Sequence, residues 1–153
     1  MSDPLSSSAK DVRHKALSAW GQQQLVALSV PVSEGFSISA TSDDASFRRY
    51  FRGEADGRSF IFVDAPPDKE DNASFLLVQG ILQNGGVRVP LVLASDIQQG
   101  FLLLEDFGDT LFLERVLSPS SNAESLYQQA LGVLSGIQNA ANRAAPDRLP
   151  VYD

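Results

Sequence analysis

The residues best suited to chemistry in this chain fall in a few short stretches. Arg48, Arg49 and Arg52 lie within five residues of one another, and each guanidinium offers a planar fork of donors that grips carboxylate or phosphate oxygens in pairs. Just before them, Ser42, Asp43 and Ser46 form a polar segment with two hydroxyls and a carboxylate. Asp64 closes an aromatic and branched run, and Glu105-Asp106-Phe107 closes another apolar run. Cysteine is absent, which removes disulfides, thiolate metal sites and thiol nucleophiles. The single histidine, His14, is followed by Lys15-Ala16 and reads as solvent-facing. The formal net charge of -7 argues against a sequence-independent grip on nucleic acid, and the three arginines are too local to reverse that.

These residues need elements to position them. Leu17, Trp20, Leu25 and Leu28 recur at helical spacing, predicting an amphipathic helix over residues 11–29 that Pro31 stops, preceded by a loose polar arm over residues 1–10. Phe36, Ile38 and Ala40 alternate with small polar residues as a strand does. In the next strand Phe47, Arg49 and Phe51 share one face, and Arg48, Tyr50 and Arg52 the other. Asp56-Gly57 is a tight hairpin signal, and residues 60–65 form the third strand of a meander.

Phe75, Val78 and Leu82 then mark a short helix ended by Gly85-Gly86. Residues 89–94 and 100–105 read as two more strands, completing a five-stranded antiparallel sheet. Thr110 to Leu117 is a short helical candidate. Ser121 with Glu124 has capping-box spacing ahead of a long helix through Leu126, Val133, Leu134 and Ile137. The fold class is α+β. With 153 residues and 43% hydrophobic composition, one core of ordinary size is expected. The longest apolar runs fall far short of the roughly 20 residues that span a bilayer, so no membrane partner is expected, and the lack of cysteine suits the cytoplasm.

Asp44-Ala45-Ser46-Phe47-Arg48-Arg49-Tyr50-Phe51, Asp64-Ala65-Pro66-Pro67 with Lys69-Glu70-Asp71, and Gly100-Phe101-Leu102-Leu103-Leu104-Glu105-Asp106-Phe107-Gly108-Asp109, taken with the element order, resemble the aminoglycoside-phosphotransferase family. The likeness extends from about Leu17 onward and is to the bacterial branch holding the N-acetylmuramate/N-acetylglucosamine anomeric kinases of cell-wall recycling. It implies the N-terminal lobe of a protein-kinase-like fold over residues 11–105, a hinge over 106–109, and the first helices of a C-terminal lobe over 110–153. It also implies ATP and Mg²⁺ as cofactors and a small hydroxylated acceptor, an amino sugar, as the partner substrate.

On that resemblance, adenine lies beside the backbone of Glu105, Asp106 and Phe107, although these residues also read as a plain polar turn. Ser42, Asp43 and Ser46 stand where relatives cover the phosphates, without the usual glycines; a simple polar hairpin fits them equally. Asp64 stands where many relatives carry a phosphate-binding lysine. Its carboxylate reaches a phosphate only through Mg²⁺ or by pairing with Arg48 or Arg49; alternatively it caps the Pro66-Pro67 turn while the arginines pair with acids such as Glu54. Without the lysine, its usual pairing with a helix glutamate is not expected, and Glu70 and Asp71 read as helix starters. No His-x-Asp loop is present, so the chain is expected to hold no catalytic residue, to be one portion of a longer kinase, inactive alone, and to self-associate as a homodimer. A non-catalytic nucleotide-binding or protein-interaction domain is the other function these features allow.

Overall fold

The structure, a computed structural model, describes residues 4–41 and 47–144. The chain divides into two compact units, Met1–Ala73 with Pro90–Phe107, and Ser74–Val89 with Gly108–Asp153. Its elements are α1 (Pro4–Ala27), β1 (Ile38–Ala40), β2 (Arg49–Ala55), β3 (Arg58–Asp64), α2 (Asn72–Asn84), β4 (Val92–Asp96), β5 (Phe101–Glu105), α3 (Phe112–Leu117) and α4 (Ala123–Arg143). Helix α1 therefore starts seven residues before Asp11, with Pro4 at a position where its missing N–H costs nothing.

In the first unit the five strands form one antiparallel sheet in the order β1-β2-β3-β5-β4. Strand β5 takes the inner position because Phe101, Leu102, Leu103 and Leu104 are apolar on both faces and all buried, whereas β4 is only partly covered and forms an edge. The β2–β3 turn has Asp56 at φ 52° and Gly57 at φ 68°, both positive, as the hairpin signal requires.

One sheet face carries Phe51, Phe60, Phe62, Phe101 and Leu103, and it packs with Leu17, Trp20 and Leu25 of α1 into a single apolar cluster. Gly21 permits the approach, since a Cβ there would fall on the ring of Phe62. The helix is ended not by Pro31 but by a left-handed Ser29 (φ 61°), with Ser29 N–H donating to Val26 O and Val30 N–H to Leu25 O. This pattern closes the last carbonyls, and its apolar bracket, Leu25 with Val30, is buried in the same cluster. His14 is not solvent-facing. It is half-buried against Phe51 (ring centroids 4.8 Å apart), with Nε2 3.2 Å from Ile38 O. In the turn before β5, side-chain and backbone hydrogen bonds from Gln99 hold the Asp96 carboxyl below the ordinary aspartate value.

In the second unit α2 ends with Gly86 at φ 82°, Gly86 N–H donating to Gln83 O and Val87 N–H to Leu82 O. Gly85 lies against Ala140 of α4, and Val87 and Ala140 are both buried. Helix α4 is capped by Asn122, whose side chain accepts from Ser125 N–H at 3.1 Å; Ser121 instead donates its hydroxyl to Val116 O at 2.8 Å. Asparagine accepts at the cap as well as serine does, which moves the start by one residue.

Candidate functional site

Strand alternation places Arg49 directly across from Asp64 on the α1 side of the sheet, so their side chains project together. Asp64 is fully buried, and Arg49 donates to its Oδ2 from Nε at 3.1 Å and Nη2 at 2.5 Å. Arg13 of α1 donates to Oδ1 from Nε at 2.8 Å and Nη2 at 2.5 Å, and Nη2 also reaches Gln99 O at 2.8 Å. Each guanidinium lies over an aromatic ring, Arg13 over Phe101 and Arg49 over Phe51. Two cations share one carboxylate, and both arginines are partly exposed, at 31% and 23%.

Of the two pairings expected for Asp64, Arg49 therefore takes the role. Arg48, one residue earlier, points to the opposite face and pairs with Glu70 at 3.0 Å. An acid next to α2 thus does meet a cation, supplied by an arginine rather than a third-strand lysine. Asp64 does not cap the Pro66-Pro67 turn: Asn72 closes it, donating from Nδ2 to Ala65 O at 2.8 Å, while Lys69 and Glu70 N–H both bond Pro66 O. Both oxygens of Asp64 already accept from guanidinium groups, which fits pairing rather than Mg²⁺ ligation. Among the described residues no cluster of three or more metal-ligating side chains occurs.

At the other end of the sheet the connector after β5 is held from two sides. Glu105 donates its N–H to Leu91 O at 2.9 Å and accepts Leu91 N–H on Oε2 at 3.2 Å. Asp106, with its side chain only 3% exposed, accepts Arg52 Nε at 2.6 Å and Nη2 at 3.0 Å. Phe107 is 54% exposed. Ser42, Asp43 and Ser46 lie outside the described residues. Arg13 was not singled out from sequence, and Arg52 and Glu70 were noted there but given no place in the site. The spacing of Arg13 to Leu17 and Trp20, three to four residues along one helix face, is the signal that would have found the first of them.

The sequence matches the family described as "Phosphotransferase enzyme family" (APH) over residues 37–152, and the chain belongs to that family. It is 40% identical over 149 residues to the N-acetylmuramate/N-acetylglucosamine kinase of Pseudomonas aeruginosa, covering 94% of this chain and 42% of that protein. It is 38% identical over 150 residues to the protein of the same name from Pseudomonas putida, with the same two coverages. Against the Neisseria meningitidis protein of that name it is 39% identical over 121 residues, covering 77% of this chain and 35% of that protein. The chain thus spans less than half the length of these relatives. Among the described residues no helix is long and apolar enough to cross a membrane.

Proposed function

We propose that this chain is the nucleotide-holding portion of an ATP-dependent sugar kinase that phosphorylates an amino sugar in the cytoplasm. The relatives named N-acetylmuramate/N-acetylglucosamine kinase, 38–40% identical over 94% of the chain, carry the proposal. The geometry supports it at both ends of the sheet. The connector turns its two carboxylates onto Leu91 and Arg52, so that both side chains are held by the sheet, and the connector backbone meets the donor and acceptor edge of adenine. At the opposite end, Arg49 is braced by Asp64, and its partly exposed guanidinium is a donor for phosphate oxygens. Mg²⁺ accompanies ATP in phosphoryl transfer and neutralises charge on the phosphates.

The protein expressed from its complete reading frame, given ATP, Mg²⁺ and N-acetylmuramate or N-acetylglucosamine, is expected to yield ADP and a sugar phosphate detectable by phosphorus NMR. Absence of transfer to either sugar, with nucleotide still bound, would reassign the acceptor; absence of nucleotide binding would remove the kinase assignment. A protein-interaction role is favoured by one observation, the exposed apolar residues Tyr127, Leu131, Val133 and Leu134 along α4.

A further inference from the structure

We propose that Arg52 is a positioning residue for the purine, acting through Asp106; this rests on the nucleotide site proposed above. Arg52 sits in the middle of β2 on the face away from α1, in register with Ile61 of β3, which is itself in register with Leu104 of β5. To reach Asp106 its side chain crosses β3 and arrives just past the end of β5, two strand spacings or about 10 Å away. The bidentate pair therefore straps β2, β3 and the connector together on one face.

That strap differs from a surface ion pair in burial and in what it fixes. The Asp106 carboxylate is almost wholly removed from solvent, and the fork of donors on Arg52 holds it in one geometry. Glu105 is fixed independently through Leu91 on the neighbouring edge strand side. With residue 105 tied on one flank and residue 106 on the other, the peptide group between them has one orientation. A purine edge pairs a donor with an acceptor a fixed distance apart, so its affinity depends on that orientation being set before it binds. The carboxylates of Glu105 and Asp106 consequently act on the backbone, and the backbone acts on the base.

The test uses the protein from its complete reading frame and compares two probes, adenosine and inorganic tripolyphosphate, by calorimetry. Arg52→Lys keeps the charge and the stem but loses the fork. It is expected to weaken adenosine binding about tenfold, the affinity equivalent of one charge-assisted hydrogen bond, and to leave tripolyphosphate binding unchanged. Exchanging the pair, Arg52→Asp with Asp106→Arg, is expected to recover part of the adenosine affinity. Equal adenosine affinity in wild type and Arg52→Lys overturns the inference, as does an equal loss for both probes, which marks a merely structural pair. A wild-type protein that binds neither adenosine nor ATP overturns the nucleotide site itself, a separate outcome from either of these.

Discussion

Asp64 shows how one side chain joins two parts of the fold. It is the fully buried acceptor for an arginine from α1 and another from β2, so removing its charge leaves two guanidinium groups facing each other over an apolar sheet face. Asp64→Asn is expected to destabilise the protein by about 3 kcal/mol, the low end for breaking a buried pair because both arginines keep some access to water. Arg13→Ala, which leaves the Arg49 pairing in place, is expected to cost only on the order of 1 kcal/mol. Urea unfolding of the two variants checks both values. Equal costs would mean that Arg13 and Arg49 do not share the carboxylate as described. The sequence offered Arg48 or Arg49 as a partner of Asp64 beside Mg²⁺ and a turn cap; alternation set the two arginines on opposite faces, and the strand register chose Arg49. The contribution of Arg13 was not legible, because 51 residues separate it from Asp64.

At the scale of elements, two helical glycines make opposite demands. A Cβ at Gly21 would fall on the Phe62 ring, whereas at Gly80, within α2, it would meet nothing within 4 Å. Gly21→Ala is therefore expected to push α1 away from the sheet at a cost of about 1–3 kcal/mol, as overpacked cores do. Gly80→Ala is expected to stabilise by about 0.5–1 kcal/mol, since alanine is the better helix former and nothing opposes it. Thermal melts of the two variants moving in the same direction would contradict this packing. Helix and strand extents were largely legible beforehand: the hairpin at Asp56-Gly57 and the glycine end of α2 follow from backbone rules within a few residues. The end of α1 was misplaced at Pro31 because Ser29 adopts a left-handed conformation that its residue type does not advertise; its apolar bracket, Leu25 and Val30, becomes visible only once the core is assembled.

For the molecule as a whole, the unusual surface is α4, where Tyr127 at 55%, Leu131 at 65% and Leu134 at 50% exposure fall on one side at helical spacing. An apolar stripe of this kind associates with another surface. The chain by itself is expected to show concentration-dependent dimers in sedimentation velocity, and Leu131→Lys with Leu134→Lys to return it to monomer. A wild-type chain that stays monomeric at high concentration would show that the stripe does not drive self-association.

Sequence alone determined the α+β class, the five strands, the faces on which Arg49 and Arg52 lie, and the family, because alternation, turn residues and motif wording are local properties. The tertiary structure decided that β5 rather than β4 lies beside β3, and which acid each arginine takes: Asp64 for Arg49, Glu70 for Arg48, Asp106 for Arg52. Three arginines so close in sequence are chemically alike. Their partners differ because strand alternation and register bring a different carboxylate within reach of each, from the end of β3, the segment before α2 and the connector after β5, all of them distant along the chain.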